Sequence, residues 1–223
     1  MPSASSSTKR APSSTELRVG GLARLSTCDW PGELVATVFL QGCPWACGYC
    51  HNPHLIPPNA EPAMPWSDVL AFLETRRGLL DGVVFSGGEP TLQAALPAAM
   101  REVKALGFRI GLHSAGPYPA RLAEVLPLVD WLGFDVKAAF DEYERITGVA
   151  GSGHRAKASL LHVLASGVEC DFRTTVHDAL LDAAALARMD AELQALGVNH
   201  HRLQPFRPTG CTTAALLAPA SGS

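Results

Sequence analysis

The sequence lacks any long apolar run: nothing in it approaches the roughly 18 consecutive apolar residues of a membrane-spanning helix. It also lacks an excess of either charge, with 18 Lys and Arg against 21 Asp and Glu and a formal net charge of −3. No basic field argues for nucleic acid, and a weakly acidic surface singles out no partner. Neither nucleic acid nor a membrane is expected as a partner. The opening "MPSASSSTKRAPSSTE" has no apolar core and does not read as a secretory signal. Its Ser and Arg give a faint transit-peptide flavour, but residues 1–16 read better as a disordered tail. A cytoplasmic setting follows as the expectation. There, six cysteines (28, 43, 47, 50, 170 and 211) do not read as a disulfide scaffold, and metal binding becomes the default.

What is present is a globular composition, 47% hydrophobic and 17% charged over 223 residues, enough for one domain with a sizeable core. "LRVGGLARLSTCDWPGE" reads as a short strand and a turn broken at Pro31-Gly32. Then β-branched and aromatic runs alternate with helical patterns. Strands are predicted at 34–42, 82–88, 108–116, 129–138, 168–177 and 198–206. Helices are predicted from Ser67, which would cap the first, and over 91–107, where Pro97 perturbs the first turns. Others follow at "YPARLAEVLP", from about Arg155 to Ser166, and over 181–197. Six β–α units imply a parallel sheet with right-handed crossovers, either an open doubly wound sheet or a partial barrel. In both, ligands bind at the carboxyl ends of the strands. The unusual segments fall there: the cysteine loop, "SGGEPT", "HSAG" and "DVK". Residues 17–210 form the expected domain, with 211–223 a flexible tail.

The segment "FLQGCPWACGYCHNPH" (39–54) carries the chemistry. Cys47 to His51 matches the C-x-x-C-H of haem attachment, but that needs export. A zinc site would close with His51 or His54 as fourth ligand. Zinc cysteines, however, come as separated pairs that staple two segments, and three in one tight loop staple nothing distant. An iron–sulfur cubane is held by thiolates. Three cysteines leave one iron without a protein ligand, and an open position is what a catalytic centre needs. The cluster is therefore the favoured reading of Cys43, Cys47 and Cys50, with Gly42 and Gly48 giving the backbone room to wrap it.

C-x-x-x-C-x-x-C with Tyr49 before the third Cys resembles the radical S-adenosylmethionine (SAM) superfamily, and "CHNP" resembles its glycyl-radical-enzyme activases. "STCDWPG" and "FLQGCPWACGYCHNPH" look most like the activating proteins of anaerobic ribonucleoside-triphosphate reductase. The resemblance spans residues 17–210. It implies a partial (β/α)6 barrel, a [4Fe-4S] cluster on Cys43, Cys47 and Cys50, and S-adenosyl-L-methionine bound to the open iron. It implies reductive cleavage of SAM and a glycyl radical made on a partner enzyme, with an electron donor such as flavodoxin or ferredoxin. No catalytic residue beyond the cluster ligands is then expected. A small-molecule radical SAM enzyme of the 7-carboxy-7-deazaguanine synthase type is the alternative, and a non-catalytic zinc module the third reading.

The remaining site residues follow the same two lines. Gly87 and Gly88 allow close backbone approach to a ligand, and Glu89 can accept from a cationic amine; the resemblance makes this the SAM methionyl end. Asp135 and Lys137 alternate onto one side of a strand, where burial demands a partner or ligand. The resemblance sends them to the SAM ribose or carboxylate, and Tyr49 and His51 to its adenine. Arg173 is placed either in the lumen or in solvent. Pyruvate formate-lyase activases carry Asp at a cation site where this chain has His113, so such a site is doubtful here. His113, His177, His200 and His201 read as structural, and Cys28, Cys170 and Cys211 as plain thiols.

Overall fold

The computed structural model describes residues 12–217. Strand β1 (Val19–Ser26) leads into β2 (Val35–Leu40), after which helices and strands alternate. They are α1 (Trp66–Glu74), β3 (Gly82–Gly87), α2 (Leu96–Ala105), β4 (Arg109–Ser114), α3 (Pro119–Val125) and β5 (Trp131–Asp135). The pair α4 (Tyr143–Thr147) and α5 (Ser152–Ser166) precedes β6 (Glu169–Val176), α6 (Ala183–Ala195), β7 (His201–Pro205) and α7 (Ala214–Leu217). The strands pair in chain order, β1 antiparallel to β2 and every later pair parallel. β1 and β7 do not meet, so the sheet is the expected partial barrel of six parallel strands, with one antiparallel strand added at its first edge.

Side-chain alternation divides each strand between two environments. Val83, Phe85, Ile110, Leu112, Leu132 and Phe134 are fully buried against the helical layer. The intervening positions face the lumen. Its floor is a separate cluster of Trp30, Val35, Val84 and Trp131, in which the two indoles stack at 5.6 Å and 16°. Trp30 comes from the β1–β2 loop and folds inward. A Cβ on Gly111 would run into the Trp30 ring and Val84, so the missing side chain there makes space for the plug. The lumen is thus sealed at the amino ends of the strands and open at the carboxyl ends.

Several local expectations need correction. α1 begins at Trp66 behind Pro65, and the Ser67 hydroxyl turns to Asp68 instead of capping. The expected helix over 91–107 is split: Glu89 caps a 3-10 turn at Pro90–Leu92, and α2 starts only at Leu96. Pro97 sits in its first turn, where the missing N–H does no harm. The domain also starts before residue 17. Ser13 caps a 3-10 turn at Ser14–Glu16, and Ser14 bonds Glu102 at 2.7 Å on α2. Residues 1–11 of the expected tail lie outside the described residues. The expected flexible tail at 211 is instead packed as far as 217. Cys211 is buried, Thr213 Oγ1 donates to the Gly48 carbonyl, and Leu216 is buried in α7. The rest of that expectation, 218–223, is outside the described residues.

Removing the plug tests this division of the lumen. Trp30→Ala should lower stability to urea by about 3–5 kcal/mol, the usual range for a fully buried aromatic, measured by equilibrium unfolding of the purified protein.

Candidate functional site

β2 delivers the chain to the open rim, and the cysteine loop follows at once. The loop is held from behind by amides. Gln41 Nε2 donates to the carbonyls of His54 (3.1 Å) and Pro57 (2.7 Å), and Gln93 Nε2 to those of Arg18 and Gln41, both at 2.9 Å. From the front the C-terminal segment closes on it. His51 Nε2 meets the Arg207 carbonyl at 2.9 Å, and the His51 ring stacks on Phe206 at 5.7 Å. Of the two loop glycines, Gly42 is required by its φ of +98° and by Leu92 and Pro58 packed against it, and Gly48 faces open space.

All ten residues expected at the site line one cavity of about 680 Å³: Cys43, Cys47, Cys50, Tyr49, His51, Gly87, Gly88, Glu89, Asp135 and Lys137. Three segments distant in sequence, 43–51, 87–89 and 135–137, converge there. The expectation left out Arg173, His113 and Cys28, which line the same space. Arg173 was one of two open choices, and the structure puts it in the lumen. Signals for His113 existed, since His113 and Arg173 fall on the lumen parity of β4 and β6. Cys28 had none, because it lies in the inward-folding loop that carries Trp30.

The lumen wall carries an ion network. Arg173 Nε donates to Asp135 at 2.6 Å, and Lys137 Nζ lies 3.7 Å from the same carboxylate. Burial alone would raise the Asp135 carboxyl; Arg173 and Lys137 reverse that and hold it well below the ordinary carboxylate range. Burial opposes charge on Lys137, yet Tyr49 and Asp135 beside it hold the ammonium above its ordinary value. Lys137 Nζ also sits 5.4 Å from the centre of the Tyr49 ring. A Cβ on Gly133 would meet the Arg173 guanidinium and the His113 ring, so this glycine is the slot through which Arg173 crosses β5. His113 is held neutral, at about 4, by burial first and by Arg173 second. Its nitrogens meet Ser86 Oγ at 3.1 Å and the Asp29 carbonyl at 2.8 Å.

The "SGGEP" segment is fixed by contacts of its own. Glu89 is buried, and its carboxylate accepts from Thr91 N, Thr91 Oγ1, Ser114 Oγ and Ala115 N at 2.6–3.1 Å. It braces β3 to β4. Gly87 (φ +117°) and Gly88 are required because a Cβ would strike the Leu40 and Gly42 main chain. Close approach to β2 demands these glycines. What this segment offers the cavity is its main chain.

The residues fit the group that their pattern implies. No set of three His, Cys, Asp or Glu side chains among the described residues converges on a single ion. A cubane spreads its ligands over three corners and asks for no such point. Burial pushes the Cys43 thiol up to about 12 and raises Cys47, so both stay protonated until a metal displaces the proton. Two buried polar atoms on this wall, Trp45 Nε1 and Tyr49 Oη, have no partner among the described residues, as a wall built against a polar occupant would.

A parallel partial barrel with a three-cysteine loop at its open rim defines a class, and the chain belongs to it. The family model described as the radical SAM superfamily matches residues 37–184. Members of that superfamily use a [4Fe-4S] cluster and SAM. Among relatives, a Methanocaldococcus jannaschii protein named as a glycyl-radical enzyme activating enzyme is 30% identical over 74% of this chain and 70% of its own. The pyruvate formate-lyase-activating enzyme of Clostridium pasteurianum is 30% identical over 61% of this chain and 59% of its own. The crystal structure of Streptococcus suis SuiB bound to S-adenosylmethionine aligns with TM-score 0.60 and 16% identity. That alignment covers 78% of this chain and 40% of SuiB, and shows the shared fold. No helix among the described residues is long and apolar enough to cross a membrane.

His113 gives a pH test. The unfolded chain protonates it below about pH 6.5 and the folded protein only near pH 4. Its contribution to stability is full above pH 6.5 and is lost as pH falls from there to 4, at up to about 1.4 kcal/mol per pH unit. His113→Asn should flatten that part of the urea-midpoint profile relative to wild type.

Proposed function

We propose that this protein is an activating enzyme that generates a glycyl radical on a partner, with anaerobic ribonucleoside-triphosphate reductase as the target. The observation that carries the reading is the convergence of ten sequence-predicted residues from three segments on one cavity at the open rim. Cys43, Cys47 and Cys50 hold the [4Fe-4S] cluster. When bound and reduced, the cluster would supply the electron for reductive cleavage of SAM, the chemistry needed to take a hydrogen atom from a glycine Cα of the partner. The electron comes from a flavodoxin or ferredoxin.

The chain's own residues bind and orient. The Gly87–Gly88 main chain takes the methionyl end, and Lys137, charged and reaching into the cavity, takes the carboxylate. Asp135, ionised and aligned by Arg173, accepts from the ribose. Tyr49 and the backbone at His51 bound the adenine. The Trp30–Trp131 floor keeps water from entering below. The similarity to activating enzymes supports a protein target over a small molecule.

Two measurements test this. Anaerobically reconstituted protein, reduced with dithionite, should convert SAM to 5′-deoxyadenosine, and Cys50→Ala should abolish the conversion and lower iron content. Mixed with the host's anaerobic reductase, the wild type should give the EPR doublet of a glycyl radical. Turnover without a radical on the reductase would reject that target and leave the small-molecule reading. Separately, Lys137→Met should weaken SAM binding about tenfold, the loss of one charge-assisted hydrogen bond, by calorimetry on the reconstituted protein.

A further inference from the structure

The sheet has two edges, and they differ. The free side of β1 is partly covered: Ala63 N donates to the Val19 carbonyl at 2.7 Å, and Val19 bridges Met64. Among the described residues nothing pairs with the free side of β7. Among the described residues no hydrogen bond from outside the sheet reaches Leu203, which is 48% exposed. This strand also borders the reaction cavity in an unusual way. A strand that shows one face to a cavity lines it with alternate residues. Here four in a row do so, Arg202, Leu203, Gln204 and Pro205. The strand's edge itself therefore forms part of the cavity wall, and the gap beside it is a side entrance to the lumen.

The direction of the free groups can be worked out. Phe206 N–H donates to the Val176 carbonyl at 2.9 Å, toward β6. Main-chain groups alternate in direction along a strand, so those of Gln204 and Arg202 also turn to β6. Those of Leu203 and His201 turn outward. Pro205 provides an independent check: it falls on an outward position, where a missing N–H breaks no ladder bond. The chain thus presents one complete outward donor–acceptor pair, Leu203 N–H and C=O, within the cavity wall. Charge surrounds it. Arg202 is 3.6 Å from Asp171 and half exposed, and Arg207 has no ion-pair partner among the described residues.

We propose that the free edge of β7 is where the partner's target segment docks. An extended peptide pairs its main chain with Leu203 as an added strand, with an acidic side chain against Arg202 or Arg207, and so lays a neighbouring Cα into the cavity. The inference rests on the reading that the target is a protein. Main-chain pairing suits a glycine-centred segment, since it needs no side chain at the reacting residue. Pro205 limits the pairing to one register by removing the next donor.

The test uses reconstituted wild-type protein with SAM, without reductant, and a fluorescein-labelled peptide Glu-Val-Ala-Gly-Val-Ala-Glu, followed by fluorescence anisotropy. A series of the same peptide is methylated at one main-chain nitrogen at a time. Strand pairing predicts a period of two: methylation at the pairing positions weakens binding about tenfold, one hydrogen bond, and at intervening positions less than twofold. Leu203→Pro, which removes the outward donor and leaves the bonds to β6, should weaken binding as much, and Leu203→Ala should not. No binding at millimolar peptide, equal losses along the series, or an unaffected Leu203→Pro would each overturn the proposal. So would a dimer in sedimentation that Leu203→Pro dissociates, because the edge would then serve a second copy of the chain. SAM cleavage by the wild type is scored separately: its absence defeats the activating-enzyme reading, whereas normal cleavage with a flat methylation series defeats only the docking edge.

Discussion

Parallel strands joined by helices must all finish at the same rim, and everything else in this structure depends on that constraint. Each crossover returns the chain to the amino end, so each strand releases its next loop at the carboxyl end. A cysteine loop after β2, a glycine turn after β3 and a charged strand end on β5 are therefore neighbours, although 92 residues separate Cys43 from Asp135 in the chain (135 − 43). The closed floor follows from the same geometry. The amino ends carry only short returns, and one of them, the β1–β2 loop, folds Trp30 inward.

Inside this frame the lumen solves an electrostatic problem. Buried charge is unfavourable unless partnered. Asp135 has two cationic partners, Arg173 and Lys137, and the network keeps a net positive charge facing the cavity. A carboxylate-bearing ligand would complete it. The neighbouring histidine stays neutral because Arg173 and burial leave no room for a second cation. Glycine at 133 is as necessary as the charges, since any side chain there would displace the guanidinium.

The cysteine loop is ordered by its surroundings and not by its own composition. Gln41 and Gln93 fix its return path, and the segment from Phe206 to Leu217 lies across its front. Loops that hold functional groups need such support to stay in a productive geometry. Here part of it comes from the C-terminal segment, so the site depends on residues 211–217, which read as a flexible tail in the sequence.

The alternation of strands and helices, the place of the cysteine loop at the rim, and the parity that puts Asp135 and Lys137 on one side were all legible in the sequence. They depend on local periodicity and residue chemistry, which a linear string records directly. The ends of the helices were less legible: Ser67 is a good cap by type, but the backbone at Pro65 had already started α1. The contacts that hold a residue were also not legible: Glu89 and its two glycines lie in the cavity and engage Thr91, Ser114, Leu40 and Gly42 as well. Only the tertiary structure decided that Arg173 reaches Asp135 across Gly133, that Trp30 seals the lumen, that Cys28 opens on it, and that 211–217 covers the cluster loop. Each is a contact between segments far apart in the chain, set by which strand edges and faces meet, and no local pattern encodes such a meeting.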